Sequence, residues 1–176
     1  MASSLVKIDI HIIFHVKNNG RNMRSEDLPR IFQYIGGVIR GLNVIPIEIG
    51  GMSDHIHILT SLPKAMPLTD FVRDIKSNSS KWIKQQHPDY KLFAWQDGYA
   101  ALSVSPGILD KTISYISRQN EHHQKRTFEE EYKMFLEHYG IAYNERYVMS
   151  LSHFQGSSYT PHNFDTKTTT KTASTT

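Results

Sequence analysis

The chain has 176 residues, 39% of them apolar and 21% charged, enough for one buried core and too ordinary a composition for global disorder. Twenty Lys and Arg against seventeen Asp and Glu leave +3 with histidine neutral, which permits a polyanionic partner without demanding one. Cysteine is absent, excluding a disulfide scaffold, a thiol nucleophile and every Cys-ligated metal or cluster.

Taken in chain order, the periodicity alternates between strand and helix. Residues 5–16 (LVKIDIHIIFHV) are β-branched and roughly alternating, which predicts a strand. Ser25, Glu26, Asp27 and Pro29 mark a helix start, with Leu28, Ile31, Phe32, Ile35, Val38, Ile39 and Leu42 spaced to face inward. Residues 43–50 form a second strand, in which Pro46 implies an edge or irregular position. A turn over 51–54 leads into a third strand at 55–61, HIHILTS. Pro67 opens a helix to about residue 86, burying Leu68, Phe71, Val72, Ile75 and Ile83. A short strand at 99–105, a break at Pro106-Gly107, a helix over 109–123 and another over 127–139 complete the pattern. This βαββαβ order followed by C-terminal helices predicts an α+β, ferredoxin-like antiparallel sheet. The working domain is expected to span 1–150. The Ser/Thr-rich tail, 151–176, has almost nothing to bury and is expected to be disordered. No apolar run approaches the roughly 18 residues of a membrane span, and the first residues lack the order of a signal peptide. The expected location is the cytoplasm.

The most informative triplet is His55-Ile56-His57. On a strand its two imidazoles share a face, about 6–7 Å apart at Cα, and can converge on one divalent ion. His11 and His15 also share a face, but their spacing is too wide for one metal, and they read as surface or groove residues. Two imidazoles leave a metal under-coordinated. In a chain without cysteine, tyrosine is a candidate nucleophile, and an amide four residues on would lie beside it on a helix. Of nine tyrosines only Tyr115, with Gln119, and Tyr159, with Asn163, meet that condition, and the second pair lies in the tail.

At this point the chain resembles the single-tyrosine HUH transposases of small insertion sequences, which move DNA as a single strand; transposases of dispersed palindromic repeats are close relatives. The resemblance covers about residues 7–148. It is carried by HIIFHVK at 11–17, DHIHIL at 54–59, KSNSSKW at 76–82, FAWQDGY at 93–99, YISRQNEHH at 115–123 and YGIAYNERY at 139–147. It implies that His55 and His57 are metal ligands, Gln119 the third protein ligand and Tyr115 the nucleophile. It further implies cleavage to a 5′-phosphotyrosine and a free 3′-OH, assisted by Mg²⁺ or Mn²⁺. The donor set by itself favours Mn²⁺. A homodimer is expected, with composite sites in which the tyrosine helix serves its partner and Ser105-Pro106-Gly107 acts as hinge.

Two segments suit a single-stranded, hairpin-bearing DNA partner. Residues 64–91 and 111–126 each carry a local +3, the first interleaved with Phe71, Trp82 and Tyr90. Basic residues track phosphates and aromatics stack unpaired bases. Lys76, Lys81, Arg118 and Lys125 are the phosphate-contact candidates, whereas Trp82 and Trp95 read as core. His122 and His123 fall within reach of Gln119 along the helix. A ferredoxin-like nucleic-acid-binding module without catalysis is the alternative, as is a domesticated relative acting on dispersed repeats. A two-histidine phosphoesterase is excluded, because no histidine has Ser or Thr two positions on.

Overall fold

A computed structural model describes residues 5–17, 22–119 and 133. Strand β1 (Asp9–His15) lies at the centre of the fold, with side chains alternating between two buried faces. Its even residues Ile10, Ile12 and Phe14 join Ile56 and Ile58 in the main core. Over them pack α1 (Leu28–Gly41) and α2 (Leu68–Ile83), through Ile31, Ile35 and Ile39 and through Phe71, Val72, Ile75 and Ile83. These are the inward positions that the helical spacing selects, with Phe32, Val38, Leu42 and Leu68 partly buried around them. Asn43 leaves α1 in the left-handed region at φ 59°, a conformation asparagine tolerates at a helix end.

Strands β2 (Pro46–Gly51), β3 (His55–Ser61) and β4 (Ala100–Val104) complete a sheet of order β2-β3-β1-β4. Every neighbouring pair is antiparallel. This is the expected ferredoxin-like arrangement. β2 is an edge strand whose register shifts between Pro46 and Glu48, as the proline implies. The β2–β3 turn depends on Gly51: at φ +149° a Cβ there would lie 2.3 Å from the His55 carbonyl oxygen.

The sheet's other face carries a second, smaller apolar cluster. Leu59, Val104 and Ile116 form it, with Ile47, Ile108, Leu109, Ile113 and Tyr115 around them. It seats α3 (Leu109–Ser117), which follows β4 through a 3-10 turn, Pro106–Ile108. The described α3 is shorter than expected. Arg118 departs from helical geometry at φ −102°, ψ 21°, and the Ser117 hydroxyl competes for the Ser114 carbonyl that also receives the Arg118 N–H. Gln119 is helical again, so Tyr115 and Gln119 do not share one unbroken helix.

A 3-10 segment, Pro88–Leu92, was not apparent from the periodicity. It buries Tyr90, whose hydroxyl donates to Asp27 Oδ2 at 2.7 Å and accepts from the Arg24 N–H at 2.8 Å. Phe71 and Tyr90 therefore belong to the core and cannot serve as base platforms. Trp95 is buried as well, its Nε1–H donating to Ser79 Oγ, while Trp82 stacks on Tyr34 at 4.4 Å. The expected helix at 127–139 and the tail at 151–176 lie outside the described residues. Among the described residues no helix is long and apolar enough to cross a membrane.

Candidate active site

Antiparallel pairing of β1 with β3 sets His15 opposite His55 and Ile13 opposite His57. Odd-numbered residues of both strands thus share the face beneath α3. His11, His55 and His57 are all buried there, at 0–1% exposure. This corrects the reading of His11 as a surface or groove residue, while His15 is half-buried: adjacent strands carry all four imidazoles into one layer. The His11 and His57 ring centroids lie 5.1 Å apart, and those of His15 and His55 5.6 Å apart. Burial lowers His11 to a pKa of about 4. It lowers His15 to about 3, aided by the charges of His55 and Lys76 and opposed by Asp54. Both are therefore neutral at pH 7.

The Nδ1 atom of each HUH histidine is engaged within the protein. His55 Nδ1 lies 2.7 Å from Asp54 Oδ1, and His57 Nδ1 lies 2.9 Å from His11 Nε2. Burial alone would raise the Asp54 carboxyl, but the hydrogen bond and charge of His55, with His15, hold it below its ordinary value. Nε2 is then the nitrogen through which either ring could ligate a metal. Among the described residues no group of three His, Asp or Glu could hold a metal ion, so a third donor drawn from them would be of another type. Gln119 fits that role chemically. It is 2% exposed, and both atoms of its carboxamide are buried without a hydrogen-bond partner among the described residues. A buried amide in that condition is costly unless something occupies it.

Tyr115 comes down onto the same layer. Its ring meets His57 edge-on at 5.6 Å and His11 at 6.4 Å. Gly50 makes that approach possible. It is the register partner of His57, and a Cβ on it would lie 2.5 Å from the Ile116 carbonyl oxygen. α3 therefore rests directly on β2 beside His57, with Tyr115 next in sequence to the contact. On its outer side Tyr115 borders a depression of about 400 Å³, also lined by Asp110, Lys111, Ser114 and Arg118.

The other basic candidates are placed differently. Arg118 is exposed at the rim of this depression. Lys81 is exposed on α2, in the helical layer on the opposite face of the sheet. Lys76 Nζ donates to the carbonyls of Gln96, Asp97 and Gly98 at 2.6, 3.2 and 2.7 Å. Burial lowers it to a pKa of about 8, against the pull of Asp97. With its three donors so used, Lys76 acts here as a clamp on the 96–98 turn. Lys125, His122 and His123 lie outside the described residues.

Comparison with known proteins bears on this arrangement. A family model, "Transposase IS200 like", matches residues 4–119, well over half of the chain and a span that includes His55, His57, Tyr115 and Gln119. The chain belongs to the IS200-like transposase family. The ISDra2 transposase TnpA of Deinococcus radiodurans R1 is 26% identical to it over 122 residues, 65% of this chain and 86% of that protein. A crystal structure of a candidate transposase from Deinococcus radiodurans R1 superposes with TM-score 0.53 at 18% identity, covering 68% of this chain and 95% of that one. A REP-associated tyrosine transposase bound to a REP hairpin superposes with TM-score 0.52 at 13% identity, covering 70% and 73%. At such identities the two structures establish a shared fold. Sequence reasoning about this IS200-like transposase missed His11 and Gly50, and left Asp54 as a turn residue. The signal for His11 was its odd parity with His15, which acquires meaning once β1 is paired beside β3.

Proposed function

We propose that this IS200-like transposase cleaves and rejoins single-stranded DNA at hairpin-bearing element ends. Tyr115 is the nucleophile, and His55, His57 and Gln119 hold Mg²⁺ or Mn²⁺. The observation that carries the reading is the edge-on approach of Tyr115 to His57, at the border of an accessible depression. The buried carboxamide of Gln119, without a hydrogen-bond partner among the described residues, supports the ligand assignment. The hairpin-bound relative, which shares the fold, supports the choice of partner.

In the forward step the Tyr115 phenolic oxygen attacks the scissile phosphorus. A P–O bond to tyrosine forms as the bond to the 3′-oxygen breaks, and the phenolic proton leaves to water while the 3′-oxygen takes one up. The products are a 5′-phosphotyrosine and a 3′-OH. Attack by another 3′-OH reverses the sequence and rejoins the strand with no nucleotide cofactor. A bound divalent ion supplies charge neutralisation and alignment of the phosphate. Lys111 and Arg118, lining the depression, offer cations to the flanking backbone.

A homodimer is part of the proposal. Composite sites would require α3 to leave a seat in which Ile116 is 1% exposed, so the arrangement within one chain is taken as the working site. Mixing His57→Ala with Tyr115→Phe subunits decides between them. Activity in the mixture reports exchange of α3, and its absence despite heterodimer formation reports that each Tyr115 serves its own imidazoles.

The chemistry is tested by incubating the protein with hairpin-flanked single-stranded DNA and Mn²⁺, followed by mass spectrometry. A nucleotide adduct on Tyr115, absent from Tyr115→Phe, His55→Ala and His57→Ala, is expected. DNA binding with no adduct under any condition would instead identify a non-catalytic binding module.

A further inference from the structure

We propose that His11 and Asp54 are the positioning residues that fix the tautomers of the two HUH imidazoles, each holding a proton on Nδ1 so that Nε2 presents its lone pair to the metal. This rests on the metal reading of the site given above.

The two hydrogen bonds differ in what they settle. Asp54 is a carboxylate, and it accepts only. At 2.7 Å its Oδ1 obliges His55 Nδ1 to be the donor, so the Nε2 of a neutral His55 is unprotonated. This is the carboxylate–histidine pairing that orients ligating imidazoles and raises their basicity. For His57 the group facing Nδ1, at 2.9 Å, is another imidazole. A histidine pair can share a proton in either direction. Only the arrangement with His57 Nδ1 donating to His11 Nε2 leaves His57 able to ligate through Nε2, and it requires His11 to carry its own proton on Nδ1.

Geometry favours a fixed role for His11. Its ring is fully buried, lies 28° from the plane of the His57 ring with which it shares the hydrogen bond, and meets the Tyr115 ring edge-on at 6.4 Å. It sits on β1, opposite Leu59 of β3 and Leu102 of β4, in the interior of the sheet. A side chain held in this way keeps its hydrogen-bonding atom in place through the reaction. His11 therefore acts on the metal through His57, at one remove from the reacting atoms.

The test has two readouts independent of strand cleavage. Long-range proton–nitrogen NMR on the metal-free wild-type protein reports which nitrogen of His57 is protonated; Nδ1 is expected, and Nε2 would overturn the proposal with no variant needed. Calorimetric titration with Mn²⁺ then compares His11→Phe, which keeps a ring but loses the acceptor, with His11→Gln, which restores an acceptor oxygen. His11→Phe should bind Mn²⁺ about 10- to 100-fold more weakly, the usual effect of losing an outer-sphere partner, and His11→Gln should recover most of that loss. Equal weakening by both variants, or wild-type affinity in His11→Phe, would overturn the role. Absence of Mn²⁺ binding in the wild type refutes the metal reading instead, and the NMR arm still judges the tautomer.

Discussion

Gly50→Ala should disable the enzyme from the strand beneath its tyrosine. The added methyl would start 2.5 Å from the Ile116 carbonyl oxygen and 2.9 Å from Ile116 Cγ2, where ordinary contact begins at 3.4 Å. Relief requires α3 to lift from β2 by about 1 Å, since the obstructing atom is backbone and cannot rotate away. Overpacking of this kind costs on the order of 1–3 kcal/mol of stability. The larger effect falls on chemistry: a misplacement of about 1 Å can cost roughly 100-fold in rate. Tyr115 adjoins Ile116 and shares its displacement, while His55 and His57 stay fixed on β3. The assay is single-turnover formation of the Tyr115–DNA adduct at saturating DNA and metal, alongside urea denaturation. Gly37→Ala is the control, because no described residue lies within 4 Å of its added methyl and alanine in a helix is worth roughly 0.5–1 kcal/mol over glycine. If Gly50→Ala forms adduct at the wild-type rate while folded, the seat of α3 on β2 does not set the position of Tyr115.

Other expectations follow from the buried polar groups. His11 and His15 are held near pKa values of about 4 and 3 in the folded protein, against 6.5 in the unfolded chain. The unfolded state therefore binds protons first as pH falls below 6.5, and metal-free stability should drop by on the order of 2 kcal/mol per histidine by pH 5. Urea midpoints that stay level between pH 7 and pH 5 would contradict this. Tyr90 shows the opposite sign: burial and Asp27 raise its pKa to about 12, so its contribution is complete below pH 10 and is lost as pH rises to about 12. Tyr90→Phe should cost about 1–3 kcal/mol at neutral pH by stranding Asp27 and the Arg24 N–H, and should flatten the alkaline limb of the stability curve. Arg118→Ala should weaken single-stranded DNA binding and reduce the salt slope by about 1, without changing the urea midpoint; an unchanged slope would remove Arg118 from the DNA path.

The fold was legible where local signals agreed with the tertiary structure. β3 falls at residues 55–61 as its alternation and flanking turn demand, and the inward faces of α1 and α2 follow from helical spacing alone. What escaped was non-local. Nothing within HIIFHV reveals that His11 will meet a histidine 46 positions away, because β1–β3 register is fixed by a pairing that spans α1 and β2. Lys76 reads as a solvated cation until its turn of helix is set against the carbonyls of residues 96–98. Tyr90 reads as an exposed aromatic among lysines until Asp27, 63 residues earlier, arrives at its hydroxyl. The break at Arg118 was not legible because the sequence through Gln119 keeps helical composition, while Ser117 turns back on the Ser114 carbonyl.

The small apolar cluster beneath α3 is separate from the one that joins α1 and α2 to the sheet. Tyr115, the proposed nucleophile, thus sits on a cover whose apolar contacts among the described residues are few and distinct from those of the main core. Local opening of that cover, short of exchange between subunits, should accordingly cost less than global unfolding, and on the proposed function it would give a polynucleotide a route to the histidine layer that leaves the main core intact.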